Sequence, residues 1–186
     1  MFWTAAIAVI VLDVITKALA VQYLKPQHVP HRIIGDVVRF TLAYNPGAAF
    51  SMSLGNYSRL VFGGFAFVAL IVLWWLYRTG KPDERVRSLA LGLTWGGAAG
   101  NLIDRFRSHL GVVDFIDIGV GDVRFWTFNV ADSAVTVGAI LLAFVLWRED
   151  REMQRAKVAG VQAPPSAQLE DPGAREARES RGGART

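Results

Sequence analysis

No cysteine occurs in the 186 residues of this chain. That absence excludes disulfides, thiolate metal sites and a cysteine nucleophile, and it leaves the redox compartment open. Histidine is scarce: His28, His31 and His109 are scattered, and none stands in a His-Glu-x-x-His frame. No Gly-x-Ser-x-Gly string occurs and the serines have no evident histidine partner, which argues against a rhomboid-like serine protease. No basic stripe with interleaved aromatics is present, so the net charge of +4 reads as membrane orientation and solubility rather than nucleic-acid binding. Nothing in the sequence asks for a metal or a cofactor.

What the chain has in excess is apolar sequence, with hydrophobic residues at 52% and a positive mean hydropathy. A soluble domain of this size would not need so much, so an integral membrane protein is expected. Four apolar segments stand out, over about 2–23, 60–77, 88–105 and 128–147. Each is measured against the roughly 20 residues that a helix needs to cross the hydrocarbon core. The third is short unless it continues past Ile103 through Asp104 and Arg105. Aromatic residues at the ends, among them Trp3, Tyr23, Trp74, Trp75, Trp126 and Trp147, suit an interfacial belt.

Ala18-Leu19-Ala20 imitates a signal-peptide cleavage site, but no basic stretch precedes it and Asp13 and Lys17 interrupt the apolar run. The first segment is expected to be a retained helix. Arg78, Lys81, Arg85 and Arg87 crowd the loop between the second and third segments, and Arg148, Arg151, Arg155 and Lys157 follow the fourth. The positive-inside rule puts both groups, and with four spans both termini, on the cytoplasmic side. Loops 24–59 and 106–127 then lie outside. There Val38 to Tyr44 alternates with period two, as a half-buried strand does, and ends in the turn signal Asn45-Pro46-Gly47. Val112 to Ile118 and Val123 to Phe128 flank a Gly121-Asp122 turn and complete a small expected sheet. Residues 149–186 are rich in Arg, Glu, Ala, Gly and Pro; a disordered cytoplasmic tail is expected beyond a short helical extension.

Chemistry-bearing residues cluster at the outer ends of the segments. Asp13 and Lys17 are spaced i,i+4 and share a face. They either neutralise each other as an ion pair or orient a site on neighbouring helices. Gly92, Gly96 and Gly100 form a small-residue ridge that lets another helix come close. Asn101, Asp104 and Arg105 follow it, and Arg105 either snorkels to the headgroups or offers a forked donor to a substrate. Asp114 is either a loop residue in water or one half of an acid/base pair with Asp132. Asp132, about 6 Å along a helix from Phe128 at 1.5 Å per residue, is otherwise a helix-terminal carboxylate. Two carboxylates at close quarters cannot both ionise, so they share a proton; one can take a proton from water while the other polarises a carbonyl. Asn129, one turn before Asp132, could hold water or substrate. Gly119-Val120-Gly121-Asp122 matches the short GxGD string of presenilin-like proteases, but it falls in a polar turn where Gly-Asp is ordinary hairpin chemistry.

Five strings in order carry a more specific resemblance: Asp13-x-x-x-Lys17, Asn45-Pro46-Gly47-Ala48-Ala49-Phe50, Gly96 through Arg105, Val112-Val113-Asp114-Phe115, and Phe128 through Ser133. Over most of its length before the tail, the chain resembles bacterial lipoprotein signal peptidases, the type II signal peptidases. The resemblance implies an all-α membrane fold of four transmembrane helices with a small extracytoplasmic β-cradle, contained in residues 1–148. It implies an aspartic endopeptidase of the bacterial inner membrane, active near the outer face. Such an enzyme cleaves diacylglyceryl-modified prolipoproteins before the lipidated cysteine. The catalytic pair then falls on Asp114 and Asp132, substrate contacts on Asn45, Asn101, Arg105 and Asn129, and support on Asp13, Lys17 and Asp104. Implied partners are lipidated prolipoproteins, membrane lipid and globomycin-type cyclic peptides, with a monomer expected. The rival expectations are a small proton-coupled transporter using Asp13, Asp104 and Asp132, and a non-catalytic scaffold for lipidated peptides.

Overall fold

A computed structural model describes residues 1–47, 57–80 and 84–158. Ala48-Ala49-Phe50 of the second string, Lys81 of the basic loop and the tail from 159 onward lie outside the described residues. The elements run α1 (Phe2–Tyr23), β1 (His31–Ile34), β2 (Val38–Asn45), α2 (Ser58–Thr79), α3 (Arg85–Arg107), β3 (Val112–Val120), β4 (Val123–Arg124) and α4 (Val130–Val158). The chain divides after Leu146 into two units, and of the second the described residues are Trp147 to Val158. In the second, Arg148 pairs with Glu152 at 3.4 Å and Arg151 lies over the Trp147 ring.

Among the described residues, three helical stretches are long and apolar enough to cross a bilayer: α1, α2 and Val130–Arg155 of α4. The expected fourth span, α3, has 23 residues and thus the length, but it is not among the apolar helices of the described residues. Its surroundings explain its composition. Gly92 and Gly96 face Phe2 and Ala6 of α1, and Gly97 faces Ala131 and Val135 of α4. Trp95 on its flank donates to the Leu70 carbonyl of α2 at 3.1 Å. A helix enclosed by other helices is selected for small residues and close approach rather than for contact with lipid. α2 is its opposite, burying only Ser58 and exposing Phe65, Phe67, Val68, Ile71 and Val72.

The approach at Gly96 is tight enough to predict its failure. An added methyl would stand 2.7 Å from the Ala6 carbonyl oxygen and 2.9 Å from the Ala6 Cα, both backbone atoms that cannot rotate away. Gly96→Ala is expected to lower stability by about 1–3 kcal/mol through overpacking, read as a drop in Tm of the detergent-purified protein.

The four strands form one antiparallel sheet in the order β1-β2-β3-β4. β2 and β3 pair from Val38↔Ile118 to Asn45↔Val112, with a register shift between Phe40 and Ala43. Two β2 residues, Thr41 and Leu42, there oppose the single Phe115. Such a bulge bends its strand and re-aims side chains, and it sits directly beside the Ala43↔Asp114 pair.

The structure departs from the expected elements in four places. The sequence carries no strand signal for β1, which pairs His31 with Phe40 and Arg32 with Arg39. The strand expected over Val123 to Phe128 stops at Arg124, and Phe128 instead makes an isolated bridge to Ile116. The fourth segment becomes helical at Val130, not Phe128. Asp132 therefore lies in the first turn of α4, and Phe128 is no part of the helical rise that would have placed it. The third and second segments extend beyond their expected bounds at both ends.

Candidate active site

Two junctions between helix and sheet build the site, one where α4 begins and one where α3 gives way to β3. The Phe128 carbonyl accepts from the amides of Phe115 (3.0 Å) and Ile116 (2.8 Å), and the Phe128 amide donates to the Ile116 carbonyl at 3.0 Å. This clamp lays the start of α4 against β3. On the α3 side, the Asp104 carboxylate accepts from the Val113 amide at 3.1 Å. Gly111, at φ +99°, turns the chain between α3 and β3 where a side chain would strike the backbone of Asn45 and Pro46.

Asn129 is the pivot of the site. It is fully buried, and its Oδ1 accepts from the Asp132 amide at 2.9 Å while Asp132 Oδ2 accepts from the Asn129 amide at 3.2 Å. This reciprocal pair is a capping box written Asn-x-x-Asp, and it closes the first turn of α4. The same Asn129 donates through Nδ2 to Asp114 Oδ1 at 2.7 Å. One residue thus touches both carboxylates, through its side chain on β3 and its backbone on α4.

Asn101 joins from α3. Its Nδ2 donates to Asp132 Oδ1 at 2.8 Å, and its Oδ1 accepts from Lys17 Nζ at 2.9 Å and Asn129 Nδ2 at 3.2 Å. Two donors on one side fix which way the amide faces. Lys17 is 3% exposed and also reaches Asp13 Oδ2 at 2.7 Å and Asp104 Oδ2 at 2.8 Å. Asp13 in turn accepts from the Ala131 amide at 3.0 Å, satisfying a donor at the start of α4. The sequence offered no signal for that contact, which links residues 118 positions apart. In the geometry Asp13 and Lys17 form an ion pair, and Lys17 also touches Asn101, whose Nδ2 donates to Asp132.

Asp114 and Asp132 line a common cleft of about 920 Å³, together with Asn45, Arg105, Trp126 and Ser133. Arg105 donates from Nη1 to the Asn101 carbonyl at 3.0 Å, and its buried Nε has no protein partner among the described residues. Burial pushes the Asp114 carboxyl up to about 7, with the charge of Asp132 adding to the rise and the side chains of Asn129 and Asn45 opposing it. The cleft thus brings together Asn45, Arg105, Asp114 and Asp132, with Asn101 and Asn129 behind them. Asp13, Lys17 and Asp104 stand one layer further in. Asp117 is drawn elsewhere, to Arg124 Nε at 2.8 Å and Thr41 at 3.2 Å. Asp122 occupies the β3–β4 turn beside Gly121 at φ +56°. No group of three or more His, Cys, Asp or Glu side chains with metal-binding geometry occurs among the described residues.

The family model and the curated relatives agree on one family. The sequence model described as "Signal peptidase (SPase) II" matches residues 5–148. A lipoprotein signal peptidase of Mycolicibacterium smegmatis is 42% identical over 177 residues, covering 90% of this chain and 70% of that protein. One from Geobacillus kaustophilus is 45% identical over 143 residues, covering 76% and 88%. Among solved structures, a bacterial membrane enzyme determined at 2.3 Å by the in meso method superposes with a TM-score of 0.71 at 28% identity, over 79% of this chain and 87% of that one.

Proposed function

The chain belongs to the signal peptidase II family, and from that premise we propose that it hydrolyses prolipoproteins with Asp114 and Asp132 as an aspartic catalytic pair. It is a multi-pass membrane protease that removes signal peptides from prolipoproteins. The finer reading is cleavage immediately before a diacylglyceryl-modified cysteine, by four spans and an outer sheet within residues 1–148. Both termini are then cytoplasmic, and the site lies near the outer face of the inner membrane. Globomycin-type peptides would compete for the same cleft.

The observation that carries this reading is Asn129, which binds Asp114 by its side chain and Asp132 by its backbone amide. A buried carboxyl that titrates near 7 beside a second carboxylate is a general acid at neutral pH. Asp132 accepts a proton from water as the oxygen attacks the scissile carbonyl, and Asp114 gives its proton to the carbonyl oxygen. On collapse the proton held by Asp132 passes to the leaving nitrogen and Asp114 recovers its own. The Nε of Arg105, without a protein partner among the described residues, supplies a donor for a substrate carbonyl, and Asn45 lines the same cleft. The apolar side chains Phe125, Trp126 and Val137 on its wall suit a substrate that arrives from the bilayer.

The titration of Asp114 makes two signed expectations. Activity needs its proton, so kcat/KM for a lipidated prolipoprotein is expected to fall as pH rises through about 7. Stability follows the same direction. The folded value of about 7 lies above the ordinary 3.8, so the folded state holds the proton that the unfolded chain releases. Stability from this group is full below about 4 and is lost as pH climbs to about 7, an effect of order 4 kcal/mol. Thermal unfolding across that window checks it: the decline should vanish in Asp114→Asn, and a decline that persists unchanged would assign it to another group.

A further inference from the structure

A second cleft, of about 980 Å³, opens at the opposite end of the helices, where α1 begins, α2 ends and α3 begins. Arg85 and Arg105 mark the two ends of α3, roughly 30 Å apart at 1.5 Å per residue, so this cleft is no part of the Asp114–Asp132 site. Among the described residues Arg78, Arg85 and Arg87 line it, with Glu84 as the acidic residue beside them. Trp3, Trp74 and Tyr77 supply the rest of the wall. The wall is braced: Phe2 stacks on Tyr77 at 4.1 Å and Trp3 meets Trp95 edge-on at 5.4 Å.

The arginines are incompletely matched. Arg87 pairs through Nη1 with Glu84 at 3.3 Å, but its buried Nε finds no protein partner among the described residues. Arg78 lies over the Trp74 ring at 5.7 Å and has no carboxylate partner among the described ion pairs. A buried unpaired donor carries a desolvation penalty that an external acceptor would remove. Three guanidiniums around one cavity suit an anion with several oxygens, and a phosphate matches their forked geometry. Trp74 also belongs to the exposed apolar face of α2 that includes Ile71 and Val72. The cleft therefore joins a cationic pocket to a lipid-facing surface, with tryptophans where headgroups lie.

We propose that this cleft binds the phosphate headgroup of an anionic phospholipid from the leaflet on that side of the membrane. Basic pockets between transmembrane helices hold such headgroups by charge and hydrogen bonds. The proposal rests on the membrane-spanning reading above and is independent of the dyad.

The test uses the full chain in a neutral detergent, with Tm followed while a short-chain phosphatidylglycerol, a matching phosphatidylcholine or inorganic phosphate is added. Phosphatidylglycerol is expected to raise Tm saturably, with little response to the other two at equal concentration. In the double variant Arg85→Gln/Arg87→Gln the rise should move to about thirtyfold higher lipid, at roughly 1 kcal/mol per arginine. Arg78→Gln, on the exposed end of α2, should move it about fivefold by the same scale and guards against a folding defect in the double variant. Cleavage of a lipidated prolipoprotein should be unchanged in all of them. Equal responses to both lipids, an undisplaced response in the variants, or inorganic phosphate matching phosphatidylglycerol would each overturn the lipid site. Loss of the lipid response with cleavage intact separates this site from the catalytic one.

Discussion

Lys17→Met is expected to destabilise the protein by about 3–5 kcal/mol and to take cleavage with it. The replacement keeps the volume and removes one charge. Asp13, fully buried, and Asp104 then face each other across a site that has lost the cation between them. Leaving a buried charge without its partner is far more damaging than removing the whole pair. The double variant Lys17→Met/Asp13→Asn is therefore expected to regain a substantial part of the loss, since an asparagine oxygen can still accept from the Ala131 amide. Activity should recover less than stability. Lys17 also holds Asn101 Oδ1, and without it the amide that presents Nδ2 to Asp132 is free to turn. Thermal unfolding and kcat/KM on the wild type, Lys17→Met and the double variant resolve the two effects. A double variant no more stable than Lys17→Met would show that the buried pair is not where the penalty arises.

Asp114→Asn and Asp132→Asn are each expected to lower kcat/KM by at least about 10³-fold, the scale of losing a general acid or base. The folded state should survive both. An asparagine at 114 keeps an oxygen for Asn129 Nδ2, whereas one at 132 has a single oxygen for the Asn129 amide and Asn101 Nδ2, so Asp132→Asn is expected to cost about 1 kcal/mol and stay folded. At 114 it also removes a carboxyl whose ionisation burial disfavours, so Asp114→Asn is expected to match or exceed the wild-type Tm above pH 7. Catalytic groups are held in arrangements that stability alone would not choose. A variant that is more stable and inactive is the signature of that trade.

How much of this was legible in the residues depends on the range over which each feature is determined. α1 was fixed by a local apolar run and occupies the expected 2–23. β2 announced itself by alternation ending at Asn45-Pro46-Gly47, and Gly47 does turn at φ +137° with its amide on Asn45 Oδ1. β1 could not be read in this way. It is four residues long and mostly exposed, so it has no burial period of its own and exists because Phe40 and Arg39 pair with it. The start of α4 differs from the sequence expectation for a similar reason: an apolar Phe128 looks helical in isolation, but its backbone is taken by Ile116 and Phe115. Hydropathy also undervalues α3, whose glycines are spent on contacts with α1 and α4 that no window along the chain can register.

The site divides along the same line. Asn129 and Asp132 could be placed on one turn from spacing, and Asn101 beside Arg105 likewise. That Asp13 would cap α4, that Lys17 would reach Asn101, and that a β-bulge would lie beside Asp114 are consequences of chain crossing, not of sequence distance.

The central claim is that Asp114 and Asp132 together hydrolyse the peptide bond before a lipidated cysteine. It is tested most directly by the masses of the products from purified protein and a diacylglyceryl-modified prolipoprotein under single-turnover conditions. The wild type is expected to release an intact signal peptide and a mature chain beginning at the lipidated cysteine, whereas Asp114→Asn and Asp132→Asn bind the same substrate and release neither. Release of both products by either variant at near wild-type rate would contradict it.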